Sequence, residues 1–363
     1  MSAENSVLAM GAGKATAMHA GVWADLGWNV QAYDANPSRL SPETMQEDLR
    51  LQYEAGHVAV LHSLKQLPNT PAIFDIATSS GSHTDALAEA LAATEAAPKA
   101  VLLEKPLDKF EYLSELLSGG ELDAENVFVN ENYNASAALA HMLRLAKAEH
   151  AAGNNVNQVY VSFDKNRVPD VLAGRFTDKL LGAYGIEVPH MLAVGLSLAG
   201  VQGDDPLRQV ENRYGLDTDG VEHSEYTYTG LQTSAGKELI IAQGLGPFRM
   251  DEHGRRTPYT FQKGEAIRTA TVTFADGRTA TATFAPVPEL PKFHSKVEWQ
   301  DTDGEQQEAV FEDNTLRRVI GYTLECALTG ERPEFTEGLT VANGIRYARQ
   351  LHELREGAEV VTG

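Results

Sequence analysis

The chain has 363 residues, a formal net charge of −21 and one cysteine, Cys326. That length allows two domains and a substantial core, while the acidity argues against nucleic acid, whose phosphates need clustered Lys and Arg. A single cysteine excludes a disulfide framework and a thiolate metal site. No apolar run approaches membrane-spanning length and the N-terminus lacks the basic-then-apolar build of a signal peptide, so a soluble, cytoplasmic protein with no membrane partner is expected.

Residues 6–10 form a short apolar run followed at once by Gly11-Ala12-Gly13-Lys14-Ala15-Thr16. A helical pattern then carries Met18, Val22, Trp23 and Leu26, Gly27 ends it, and residues 29–33 read as a second strand that stops at Asp34. In a strand, glycine turn, helix, strand and acid of this kind, the glycines let the backbone approach a pyrophosphate at the helix N-terminus. Asp34 stands about twenty residues beyond them, where an acid accepts the ribose hydroxyls and repels a 2′-phosphate. Gly11, Ala12, Gly13, Lys14 and Asp34 are therefore candidate cofactor residues. NAD is favoured, and NADP stays open because Ser38 and Arg39 follow closely. Thr16 occupies the third glycine position and must pack against the strand or push the helix outward.

A helix is expected over 41–55, a short strand over 58–61 and a stronger one over 72–77 that runs into Thr78-Ser79-Ser80-Gly81-Ser82-His83. Another helix follows over 85–96. The strand 99–103 then delivers Glu104-Lys105-Pro106. Alternation of this kind predicts a parallel doubly wound α/β sheet with ligands at the carboxyl ends of its strands. Three such ends, at Gly11 to Gly13, Thr78 to His83 and Glu104 to Pro106, would converge on one crevice. His83 reads either as a helix-terminal cap or as a cofactor neighbour. Lys105 reads either as an ordinary surface lysine or, if partly desolvated, as a group tuned towards proton transfer. Pro106 turns the chain, and an X-Pro bond is where a cis peptide is cheap.

These features resemble the glucose–fructose oxidoreductase, inositol dehydrogenase and MocA family. The residues that carry the resemblance are Gly11-Ala12-Gly13, Asp75-Ile76-Ala77-Thr78 with His83, and above all Glu104-Lys105-Pro106. It implies an N-terminal Rossmann domain, taken as 1–133, and a C-terminal α+β domain, taken as 134–363, with an open, mostly antiparallel sheet. It also implies hydride transfer between nicotinamide and a hydroxyl or ketone carbon of a sugar, cyclitol or related polyhydroxy compound. Lys105 would lie beside nicotinamide and substrate, with Thr78, Ser79, His83 and Glu104 on the cofactor side. An acid–x–x–x–His element on a helix would complete the catalytic set.

After an apolar run at 127–129 comes Asn130-Glu131-Asn132-Tyr133. The resemblance places cofactor- and substrate-facing residues in this loop, which makes Asn132 a cofactor candidate and Tyr133 a substrate candidate. A helix follows from about 135 to 151, and Asn134 reads as its cap. Residues 156–164 alternate as a strand. The stretch after it holds Lys165, Arg167, Arg175 and Lys179, either a solvated loop or a substrate-gripping one. Next comes Tyr184-Gly185-Ile186-Glu187-Val188-Pro189-His190 and an apolar helix over 191–198. Here the position four before His190 is Ile186, and the nearest acid is Glu187. The resemblance still implies His190 as proton relay, with Glu187 orienting its ring or holding a substrate hydroxyl. Tyr184 is a further candidate, because a phenol can also deliver a proton.

Strands dominate from 207 to 311, with runs at 222–229, 238–243, 267–274, 279–284, 296–300 and 306–311. Asp276-Gly277 and Asp303-Gly304 fall at hairpin turns. One face of such a sheet suits association into a homodimer or homotetramer. Helices are expected over 314–327 and from 337 to about 354, the second placing Leu339, Ala342, Ile345, Ala348 and Leu351 at core spacing. His19, His57, His141, His223 and His294 show no metal spacing and receive no role. The expected function is an NAD(P)-dependent oxidoreductase. Its rivals are a cofactor-binding regulatory or scaffold protein without turnover, for which Ile186 is the best support, and a reductase of a non-sugar carbonyl or imine.

Overall fold

The computed structural model describes residues 5–67, 69–120, 122–172, 181–201, 205–216, 225–262, 265–333 and 337–362. Arg175, Lys179, His223 and the start of the strand expected from 222 lie outside the described residues. The chain divides into two compact units: Met1–Glu131 with Leu316–Ala348, and Asn132–Thr315 with Arg349–Gly363.

The first unit is built on six parallel strands: β1 (Ser6–Met10), β2 (Asn29–Tyr33), β3 (Val58–Val60), β4 (Ile73–Ile76), β5 (Ala100–Leu103) and β6 (Val127–Val129). Their order is β3-β2-β1-β4-β5-β6. Both faces of such a sheet are covered, so its strands are mostly apolar; β1, β4 and β5 are buried at every position. The order reverses between β1 and β4, and that reversal leaves a crevice beyond the carboxyl ends of the strands. Between strands run α1 (Lys14–Asp25), α2 (Glu47–Glu54), α3 (His83–Ala92) and α4 (Phe110–Ser118). Helix α2 is shorter than the stretch 41–55, because Gln46 caps it with a side chain that accepts from Leu49 N. Helix α3 stops before 96, where the Thr94 hydroxyl donates to the carbonyls of Ala90 and Leu91.

The second unit holds a nine-stranded mixed sheet. Its strands are β7 (Val156–Asp164), β8 (Leu207–Leu216), β9 (Glu225–Thr233), β10 (Glu238–Gly244), β13 (Ile267–Phe274), β14 (Thr279–Thr283), β15 (His294–Gln300), β16 (Gln306–Glu312) and β17 (Glu359–Thr362), while β11 (Phe248–Met250) and β12 (Arg256–Pro258) pair apart as a small ribbon. The order is β16-β15-β14-β13-β7-β10-β9-β8-β17, antiparallel except where β7 meets β10 and β8 meets β17. The two Asp-Gly turns fall between β13 and β14 and between β15 and β16; Gly277 and Gly304 have φ of 87° and 81°, which a side chain would strain.

Three helices accompany this sheet: α5 (Ala137–Ala151), α6 (Val168–Leu172) and α7 (Val188–Ala199). The cap of α5 is Ser136 rather than Asn134. Its hydroxyl accepts from Leu139 N at 3.3 Å, Asp313 takes Ala137 N at 2.9 Å, and Asn134 instead accepts from Ser197 at 3.4 Å. Helix α7 begins three residues before 191, because Pro189 needs no hydrogen bond in a first turn. That start makes Glu187 the N-cap and puts His190 in the first turn. Gly195 lets α7 lie close on β7 and β10, since a Cβ there would stand 2.6 Å from Leu239 Cδ1.

Helices α8 (Thr315–Thr329) and α9 (Val341–Glu356) complete the chain. Val341, Ile345 and Ala348 join the first unit's core with Leu8, Phe74, Val101 and Val127. Phe128 of β6 bridges Thr340, the Arg332 guanidinium donates to the carbonyls of Glu125 and Val127, and Gly344 passes so near β6 that a Cβ would meet Val129 Cγ2 at 2.5 Å. The outer edge of β6 is thus covered, as an open edge strand requires. Beyond Ala348 the chain belongs to the second unit, where the Leu354 carbonyl accepts from Asn212 and β17 pairs with β8. Among the described residues, no helix is long and apolar enough to cross a membrane.

Candidate active site

At the end of β1, Gly11 has φ 110°, and a Cβ there would stand 2.6 Å from the Ala77 carbonyl oxygen. Glycine is required on both counts. Gly13 is the N-cap of α1, and a Cβ there would meet nothing within 4 Å. Helix α1 has no side-chain cap and no acid in its first turn, which begins at Lys14. Open space before uncapped N–H groups suits a phosphate. Thr16 is fully buried and points its hydroxyl at the Ala77 carbonyl, 3.4 Å away, so it packs against the end of β4.

Asp34 closes the other side of this turn. Its Oδ2 accepts from Ala12 N at 2.9 Å and its Oδ1 from Asn36 N at 2.8 Å. Each oxygen retains acceptor capacity for a ribose hydroxyl. The exposed Arg39 guanidinium stands 3.9 Å from Oδ2. At the end of β4, Thr78 Oγ1 is buried without a hydrogen-bond partner, a donor and acceptor left for a ligand. The Ser79 hydroxyl lies 3.2 Å from that of Ser82. His83 opens α3 and is buried, with Nε2 at 3.1 Å from the Thr78 carbonyl and Nδ1 at 3.1 Å from the Pro106 carbonyl. It clamps two strand-end loops together.

The loop after β5 is anchored from beneath. Lys105-Pro106 is cis, Glu104 N donates to the Ile76 carbonyl at 2.9 Å, and Lys105 N donates to Glu104 Oε2 at 3.1 Å. Asn130 donates to Glu104 Oε1, which also lies 3.2 Å from His19 Nε2. The other face of that imidazole, Nδ1, meets Asp75 Oδ1 at 3.0 Å, and Trp23 Nε1 donates to Asp75 Oδ2 at 2.7 Å. Burial alone would keep His19 neutral, but Asp75 and then Glu104 raise it to about 10, so it is an imidazolium between two carboxylates. Burial likewise works against a charged Glu104, yet His19 foremost, then Lys105 and Asn130, lower it to about 2. His19 had no role in the sequence reading and Asp75 counted only within a motif. A lone acid inside the apolar stretch 72–77 was the signal available.

In the second unit, Asn132 donates to Thr315 Oγ1 at 3.2 Å, and its Oδ1 is buried without a partner. Tyr133 is buried edge-on against His190, with ring centroids 5.1 Å apart, and against Phe163 at 5.0 Å; burial pushes its phenol up to about 12. Glu187 does not cap α7 with its side chain. Its Oε1 accepts from Arg167 Nη2 at 2.9 Å and Arg268 Nη2 at 3.4 Å. Lys165 Nζ lies 3.8 Å from Asp170, which Arg167 Nη1 also reaches at 3.2 Å. Arg268, on β13, joins this cluster and was missed by sequence reasoning. Tyr184 is fully buried and gives its hydroxyl to Asn212 Oδ1 at 2.8 Å, while burial raises its phenol further from titration. Its geometry is that of a packing residue.

No family model and no curated protein sequence matches the chain. Solved structures do. A putative NADPH-dependent oxidoreductase from Desulfitobacterium hafniense superposes with a TM-score of 0.70 at 13% identity, over 98% of this chain and 95% of that one. GenD2 from gentamicin A biosynthesis, solved in complex with NAD, gives 0.65 at 17% identity, over 96% and 92%. A putative myo-inositol dehydrogenase from Sinorhizobium meliloti gives 0.62 at 15%, over 97% and 95%. The chain shares their fold. Among the described residues, no group of three His, Cys, Asp or Glu is arranged to hold a metal ion.

Proposed function

We propose that this chain is an NAD(P)-dependent oxidoreductase of the glucose–fructose oxidoreductase, inositol dehydrogenase and MocA family, acting on a hydroxyl or ketone carbon of a sugar, cyclitol or related polyhydroxy compound. The observation that carries the reading is the anchoring of Glu104-Lys105-Pro106 beside the glycine turn. Glu104 N rests on the Ile76 carbonyl, and His83 spans the carbonyls of Thr78 and Pro106. The neighbouring structures, a putative NADPH-dependent oxidoreductase and an NAD complex among them, support the same cofactor class.

The groups present fit a dinucleotide. Gly11, Ala12, Gly13 and Lys14 would take the pyrophosphate at the start of α1, Asp34 the ribose, and Thr78, Ser79, His83, Glu104 and Asn132 the remainder. When bound, the cofactor supplies the hydride acceptor or donor. The Lys105 amine exchanges the proton of the substrate hydroxyl, and His190 relays it. Glu187, gripped by two arginines, and Tyr133 belong to substrate recognition, along with Lys165 and Arg167. Tyr184 is left out, because its hydroxyl is spent on Asn212. Association into a dimer or tetramer completes the proposal, and light scattering at the mass of one chain would remove it.

The test is a panel of sugars, sugar acids and cyclitols with either cofactor, followed by nicotinamide absorbance. A change with at least one compound supports the reading. Strong cofactor binding with no change across the panel would favour a regulatory protein. Asp34→Ala is expected to raise the KM for NAD by about ten-fold or more while leaving that for NADP unchanged or lower, since the carboxylate both accepts ribose hydroxyls and repels a 2′-phosphate. An equal rise for both cofactors would limit Asp34 to holding the turn through Ala12 N.

A further inference from the structure

The second unit gathers positive charge where β7, β13 and the start of α7 meet. Lys165 and Arg167 follow β7, and Arg268 stands on β13, whose register pairs it with Phe163. Both guanidiniums converge on one oxygen, Glu187 Oε1. Arg268 also lies over the rings of Tyr133 and Phe163, at 5.6 and 5.9 Å from their centroids, with its side chain only 14% exposed. The Nε of Arg167 and the Nε of Arg268 are both buried with no hydrogen-bond partner. Among the described residues, Lys165, Arg167 and Arg268 thus face two carboxylates, Glu187 and Asp170. Burial, and next the Arg167 charge, holds the Lys165 ammonium below its ordinary range. Cations held partly out of water beyond their counterions are costly, and an incoming anion removes that cost.

We propose that Arg167 and Arg268 bind an anionic group of the substrate, a carboxylate or a phosphate. This rests on the reading of this cluster as the substrate side of the oxidoreductase proposed above. The planar fork of arginine matches either oxyanion, and among the described residues the three cations outnumber the two carboxylates that face them, which favours an anion over a neutral polyol. The aromatic floor of Tyr133, Phe163 and Phe284 keeps the Arg268 fork in one plane and lowers the local dielectric, which strengthens a charged hydrogen bond. Glu187 then serves to hold the two forks side by side rather than to neutralise the site.

Isothermal titration calorimetry with d-gluconate, d-glucose 6-phosphate and d-glucose, in a phosphate-free buffer with and without NAD, tests the proposal. At least one of the two acids should bind about ten-fold or more tightly than glucose. That advantage should disappear in both Arg167→Gln and Arg268→Gln. The first of these substitutes a side chain that is 28% exposed, so the arm survives even if loss of Arg268 impairs folding. The two acids separate a carboxylate site from a phosphate site. Glucose binding as well as both acids overturns the proposal, and so does an acid preference that survives Arg167→Gln. The same compounds read by nicotinamide absorbance keep the two readings apart. An arginine-dependent acid preference without any absorbance change supports the anion site and counts against the redox reading. Turnover of neutral sugars with no preference for acids does the reverse.

Discussion

Lys105→Ala is expected to lower kcat by about 10²- to 10⁴-fold, the range for removing a general acid–base group, while cofactor affinity stays within about three-fold of the native value. The loop is positioned by its backbone and by Glu104: Lys105 N donates to Glu104 Oε2, Glu104 N donates to Ile76, and the Pro106 carbonyl is held by His83. These hydrogen bonds come from the backbone and from Glu104, so truncation deletes the proposed proton-exchanging group and leaves them in place, while the charge of Lys105 on Glu104 is lost with it. Lys105→Arg should be nearly as damaging, because a guanidinium keeps the charge but does not release a proton near neutral pH. Steady-state rates and a cofactor titration on the same preparations measure both quantities. Unchanged turnover in Lys105→Ala would remove this residue from the chemistry whatever the substrate.

The second large effect is expected at His19. His19→Gln strands Asp75 and Glu104 in the interior without their cation, which should cost about 3–5 kcal/mol, the usual penalty for breaking a buried pair from one side. Chemical denaturation measures it. The pH dependence follows from the two shifts. The raised His19 contributes stability in full below its ordinary value of 6.5 and loses it as pH rises towards about 10. The lowered Glu104 contributes in full above 4.5 and loses it as pH falls towards about 2. The native protein should therefore be most stable between these windows, and His19→Gln should flatten the alkaline decline. If the variant declines in parallel with the native protein from pH 6.5 to 10, the imidazolium assignment fails. Because Glu104 also holds Lys105 N, turnover should fall as well.

The sheet of the first unit was legible because its strands are mostly apolar and its turns are punctuated by glycine and proline. A local pattern of this kind survives translation into structure. The reversed strand order then brings Gly11, Thr78 and Glu104 to one edge without further information. Residues that meet only through the fold were not legible. His19 and Asp75 stand 56 positions apart, and Arg268 stands 81 from Glu187. Each alone is a single polar residue in an apolar or alternating stretch, and nothing nearby in the chain names its counterion. The cap of α5 was misplaced for a related reason. Asn134 and Ser136 are both good capping residues, and Asp313, far along the chain, helps select Ser136. Strand β17 escaped because its partner β8 lies far earlier in the chain.

The covering of β6 bears on how the protein is made. On the ribosome the six strands of the first unit emerge within the first 129 residues, yet the side chains that finish its core, Val341, Ile345 and Ala348, come more than two hundred residues later. Until then β6 offers a bare row of amides and carbonyls, and the surface that Gly344 will occupy stands wet. Domains ordinarily fold in the order of synthesis. This one must wait for nearly the whole chain, so the nascent protein passes through a long interval with a sticky edge exposed. Arrest peptides placed after residue 131 and after 348, read by protease resistance of the nascent chain, would show the first unit becoming resistant only at the later point. The same geometry predicts that a gene fragment ending at 131 yields aggregate rather than a nucleotide-binding module.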